Sequence, residues 1–185
     1  MKMGIESMRY EPKTPKLTDA IPKMCGEIVI LGRGSLARLR RMDLSGPGEP
    51  EFWKLVVSHQ FRKDQYGMIL IKLFAILTPK GQSGGIRLHA PDIPLGKLLA
   101  NSKSGRPLLS ETRFLRFIAL PFDTRPEALE RICRQIAANG HNGVDCRELA
   151  NLLFFNDVKQ TRKLARFYFS EIYDRSQFST ENSSN

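Results

Sequence analysis

From residue 125 to residue 172 the apolar side chains recur with the period of an α-helix, and polar cap residues divide that stretch into three. Leu129, Ile132, Cys133, Ile136 and Ala137 stand at i, i+3, i+4, i+7 and i+8. Residues so spaced share one side of a helix, because a turn takes about 3.6 residues. Thr124 followed by Glu127 predicts a capping box ahead of this run, and Asn139-Gly140 predicts its stop. Asp145 with Glu148 opens a second run carrying Leu149, Leu152 and Leu153. Asp157 with Gln160 opens a third carrying Leu164, Phe167, Tyr168 and Ile172. Cap signals directly ahead of periodic runs, three times over, are hard to obtain by accident.

The same period appears upstream. Phe114, Phe117 and Ile118 make one face within 110–120, and Phe52, Leu55 and Val56 follow the Pro-Gly linker at 46–50. Residues 64–78 contain the apolar run Met68 to Leu77, broken by Lys72. It suits a helix enclosed on most sides; a strand pair is the alternative, since Ile69 and Ile71 are β-branched. The run is too short to span a bilayer. LGKLLANSKSGR, 95–106, begins as a small amphipathic helix with Leu95, Leu98 and Leu99 together, then ends polar and basic. GQSGG at 81–85 reads as a flexible loop, and no long repeat is present. The expected fold is all-α, a compact bundle of roughly seven to nine helices. Residues 1–17, with Pro12 and Pro15, are expected to be a disordered lead-in, and 176–185 a polar disordered tail. Residues 18–175 would form one helical domain, with a joint near 79–92 if it divides into two subdomains.

Charge narrows the function. Lys plus Arg number 29 against 19 acidic residues, a net charge of +10. Such a balance favours polyanions, meaning nucleic acid or an anionic membrane surface. Between Lys80 and Arg116 seven basic residues face two acidic ones. Helical geometry sets Arg113 and Arg116 side by side while Phe114 and Phe117 point to the core, and Arg162, Lys163 and Arg166 repeat the device. Guanidinium forks suit phosphate oxygens. Phe114, Phe117, Phe167 and Tyr168 lie on apolar stripes and are expected in the core, while Phe154-Phe155 stays open. The chemistry therefore points to backbone contacts that do not read sequence.

Catalytic and metal patterns are sparse. Cys25, Cys133 and Cys146 form no CxxC, and His59, His89 and His141 make no ligand-like spacing with them. No disulfide framework, metal site or cofactor is expected, and the thiols suit core positions in a reducing cytoplasm. Residues 1–22 contain no apolar leader run. His141 and Asp145 read as a polar interhelical loop. EIVILGRGSLARLRRM, 27–42, offers the one enzyme-like motif, a β-branched run into Gly32-Arg33-Gly34-Ser35-Leu36-Ala37. Its GxGxxA spacing is the basis of the alternative function, a nucleotide-dependent enzyme that would use the Gly32–Ala37 loop. The downstream Ser45-Gly46-Pro47-Gly48 does not continue the strand–helix–strand unit that such a loop requires. The other reading is a helix, a glycine break and a short basic helix capped by Ser35, with Arg33, Arg38, Arg40 and Arg41 as a solvated face or anion-binding cluster.

PLGKLLANSKSGRPLLSETRFLRFI, 94–118, resembles the small-subunit (CasB) family of the type I-E CRISPR interference complex, Cascade. Gly96, Leu99, Ala100, Asn101, Ser102 and Arg106 fall on that family's motif. Upstream, Gly34-Ser35, Arg40-Arg41 and Phe52-Trp53-Lys54-Leu55-Val56 match a second family pattern in the right order. A further basic position of the family is Ala119 here, and the stretch Ser102 to Leu109 is longer than the pattern. The resemblance spans roughly residues 20–174. It implies an all-helical, non-catalytic protein present as two copies within Cascade. Its partners would be guide RNA, target and non-target DNA strands and the other Cascade subunits, with no membrane. It would stabilise guide–target pairing and the displaced strand of the R-loop in the cytoplasm. With the charge pattern, it nominates Arg33, Arg38, Arg40, Arg41, Lys97, Lys103, Arg106, Arg113 and Arg116 as nucleic-acid contacts.

Overall fold

The apolar run at 68–77 folds as a helix, and much of the chain is arranged around it. A computed structural model describes residues 17–62, 64–79, 87–101 and 105–181. Along these residues lie α1 (Leu17–Val29), α2 (Arg33–Arg41), α3 (Pro50–His59), α4 (Gln65–Leu77), α5 (Leu95–Ala100), α6 (Glu111–Ile118), α7 (Arg125–Asn139), α8 (Cys146–Phe154) and α9 (Val158–Glu181). A 3-10 turn, Phe122–Thr124, precedes α7. The chain is an all-α helical bundle, and buried side chains from every helix join one apolar cluster.

Asp64 caps α4 by accepting the Gly67 amide at 3.0 Å. Every residue from Met68 to Leu77 except Lys72 is buried, so the helix has no wide polar face and must be enclosed. α1, α2, α7 and α8 enclose it, and Lys72 escapes sideways to Glu130 on α7 at 3.4 Å. α8 also touches α9, which holds α5 against itself. The buried carboxylate of Glu148 on α8 is the knot of this second group. It accepts the Leu95 amide that opens α5 at 2.8 Å and pairs with Lys163 of α9 at 3.0 Å.

Several boundaries follow the cap signals and several do not. Asp145 accepts the Arg147 amide and Asp157 the Lys159 amide, so two caps stand as expected. Gly140 ends α7 at a φ of 74°, in the left-handed region open to glycine. The Thr124 hydroxyl instead donates to the Pro121 carbonyl, because the 3-10 turn places it there rather than over the α7 amides. Ser35 lies inside α2, whose N-cap is Gly32, and its hydroxyl accepts from Arg38 instead of capping. Helical backbone continues to Glu181, beyond the Ser176 at which the polar tail was expected. Arg175 supports that extension by donating to the carbonyls of Ala100 and Gly105. Residues 1–16 of the expected lead-in lie outside the described residues. Among the described residues no helix is long and apolar enough to cross a membrane.

Candidate nucleic-acid interface

Helix α6 divides its side chains cleanly. Phe114 and Phe117 are buried, while Arg113 and Arg116 are exposed. The Phe114 ring stacks on Tyr168 of α9 with centroids 3.8 Å apart and planes 5° apart. Phe169 meets it edge-on. The Tyr168 hydroxyl donates to the Leu109 carbonyl at 2.7 Å, which anchors the chain entering α6. α6 is thus seated on α9 by its aromatic face, and its arginines are directed away from that seat.

α9 carries its own cations. Between Val158 and Ser170 it has Lys159, Arg162, Lys163 and Arg166 and no acidic residue. All four are exposed, opposite the buried Leu164 and Tyr168. Lys163 is partly committed to Glu148, and Arg166 lies over the half-buried Phe167 ring at 5.2 Å. Phe167 was expected in the core; it serves instead as a shelf for this guanidinium. Lys159 is an addition to the expected cations of this helix, and its i, i+4, i+7 spacing with Lys163 and Arg166 is the signal for it in the sequence. Lys97 is exposed on α5, which packs on α9, and Arg106 is exposed in the bend that follows. Lys103 lies outside the described residues.

The four arginines of α2 divide differently. Arg33 is exposed in the first turn. Arg38 donates to Glu51 of α3, whose buried carboxylate is held down at about 2 by that hydrogen bond. Arg40 reaches across to the end of α4, donating from Nε to the Ala75 carbonyl at 2.8 Å and from Nη2 to Thr78 at 2.7 Å. Burial lowers its pKa, yet those carbonyls need a donor and the guanidinium supplies one. Arg41 is exposed, and among the described residues its guanidinium makes a 3.2 Å bond to the Ala37 carbonyl of its own helix. Arg38 and Arg40 are therefore occupied within the protein, and Arg33 and Arg41 face outward. Arg125 repeats the Arg40 device, donating to the Leu152 carbonyl near the end of α8.

The Gly32–Ala37 motif lacks the setting a dinucleotide loop requires. Glu27, Ile28 and Val29 close helix α1, where a strand would have to enter, and Gly34 lies within α2. The cause is tertiary: Ile28 and its α1 stripe are buried against neighbouring helices, which overrides the β-branched local preference.

A cleft of about 860 Å³ opens between the C-terminal ends of α2, α4 and α7. Arg40, Arg41, Arg134, His141 and Asn142 contribute its polar lining. The His141 ring donates from Nε2 to the Leu77 carbonyl at 2.8 Å and accepts the Gly143 amide at Nδ1. Both ring nitrogens are occupied, so His141 positions the loop wall rather than offering a base. Asp145 is occupied as the α8 cap, consistent with a polar interhelical loop. Arg134 and Asn142 were not among the expected contacts, because nothing local relates residues 134–142 to residues 37–41.

The chain matches no protein-family profile, no curated protein and no solved structure.

Proposed function

We propose that the chain is a non-catalytic nucleic-acid-binding subunit of a type I-E CRISPR Cascade complex. In this role it stabilises guide RNA paired to its target strand, and the displaced strand of the R-loop, through contacts to phosphate. The observation that carries this reading is the pair of packed helices α6 and α9, both exposing cations. Guanidiniums on a rigid seat bind phosphates without the entropic cost of ordering a loop. Exchange of a DNA duplex for an RNA–DNA duplex is nearly balanced in energy, so a few such contacts can tip it. The two ordered sequence motifs support the particular complex; the charged surface supports the binding class. The other Cascade subunits and a second copy of the chain are the implied neighbours.

The test is R-loop formation by the complex reconstituted with an Arg113→Glu/Arg116→Glu variant. Formation is expected to weaken while the thermal midpoint of the isolated protein stays near that of wild type. Arg40→Glu serves as the contrast. It removes two hydrogen bonds to α4 and should cost about 1–3 kcal/mol of stability. Wild-type R-loop formation by the α6 variant would remove α6 from the interface.

A further inference from the structure

We propose that the cleft between the C-terminal ends of α2, α4 and α7 is a second binding site, for the phosphate of a nucleotide-sized ligand. It is separate from the α6–α9 face. Three arginines line it, Arg40, Arg41 and Arg134, and no described residue of its lining is acidic. Three helix C-termini meet there, and each brings about half a negative charge, about −1.5 together. The three guanidiniums exceed that. Arg134 shares its charge with Glu130 at 2.6 Å, but Lys72 binds the same carboxylate at 3.4 Å. The balance at the cleft therefore remains positive, and its complement is an anion.

Size and lining narrow the class. About 860 Å³ lies in the range of small-molecule sites rather than of a surface dimple. The walls are preformed, since Arg40 is bonded to Ala75 and Thr78 and His141 to Leu77. Ala37, Ala137 and Ala138 supply low methyl surfaces on which a flat ring or a sugar can lie. Exposed Arg41 and Arg134 supply forks for phosphate oxygens, and the exposed amide of Asn142 offers both a donor and an acceptor to a base edge. A phosphate joined to a nucleoside meets all of these. It can arrive as a free nucleotide or as the phosphorylated end of a strand.

The experiment titrates the full chain with AMP, and separately with one oligonucleotide carrying either a 5′-phosphate or a 5′-hydroxyl. Wild type is compared with Arg41→Gln/Arg134→Gln and with Ala138→Glu. The latter adds a negative charge from an exposed helical position and breaks no bond. AMP affinity falling about tenfold or more in both variants assigns the site to free nucleotides. A preference for the 5′-phosphate that both variants abolish, without AMP binding, assigns it to strand ends. If neither AMP binding nor the end preference responds to either variant, the proposal is overturned. Arg113→Glu/Arg116→Glu should leave AMP binding unchanged, so loss of the α6–α9 interface and loss of this site are read apart.

Discussion

Glu51 is buried where α3 meets α2, with the Arg38 guanidinium as its partner. That hydrogen bond outweighs desolvation, and with a smaller contribution from Ser35 it lowers the carboxyl from 4.5 to about 2. A carboxyl whose pKa is lower folded than unfolded stabilises the fold above its unfolded pKa. That contribution fades as pH falls from about 4.5 to 2. Glu51→Gln should therefore lower the thermal midpoint at neutral pH. The gap between variant and wild type should narrow through that acid window, as followed by circular dichroism. A gap that stays constant with pH would assign the effect to packing rather than to charge. The same distinction sorts the arginines. One with a buried acid or a bare carbonyl within reach becomes framework, as Arg38 and Arg40 do. Arg113 and Arg116 stand exposed beside a buried aromatic pair and keep their charge at the surface.

At the level of the element, α5 is the informative case. Six residues do not hold a helix in water by themselves, so α5 depends on its neighbours. Glu148 takes its first amide, Arg175 its last carbonyl, and the Leu99 carbonyl accepts from Leu109. Gly96 then lets the backbone of α5 lie directly on α9. A Cβ there would stand 2.4 Å from the Leu164 carbonyl oxygen and 2.8 Å from the Phe167 Cβ. Two packed backbones cannot yield as a side-chain tip can. Gly96→Ala should cost about 1–3 kcal/mol in urea denaturation, whereas Lys97→Ala, one residue away and exposed, should change stability by about 0.5 kcal/mol or less. Equal effects from the two would show that the α5–α9 contact relaxes. The Gly-x-Leu-Leu-Ala pattern in this stretch thus has a packing cause, apart from any role of its basic end.

For the whole molecule, the excess of ten positive charges predicts salt-sensitive binding to single strands. The logarithm of affinity should fall against the logarithm of salt with a slope of about −0.7 for each phosphate neutralised. Arg113→Glu/Arg116→Glu should flatten that slope by about 1.4 or more if both arginines touch phosphate. An unchanged slope would place the contacts elsewhere. Much of the bundle was legible in the chain. The apolar stripes of α6 to α9, the apolar run that leaves α4 enclosed on most sides, the Asp145 and Asp157 caps and the Gly140 stop all depend on residues within a turn or two of each other. Thr124 and Ser35 do not cap as expected, because a cap depends on backbone direction, which the 3-10 turn and the Gly32 start of α2 alter. Helix type and total charge are thus properties of local sequence, since period, caps and ionisable side chains act over short spans. Which cations remain available is a tertiary property. Glu51 lies 13 residues from Arg38, and Thr78 lies 38 from Arg40. The cleft draws its arginines from both α2 and α7. Partners so distant in the chain meet only when α2, α3, α4 and α7 close around the core, and that closure decides which guanidiniums hold the protein together and which face solvent.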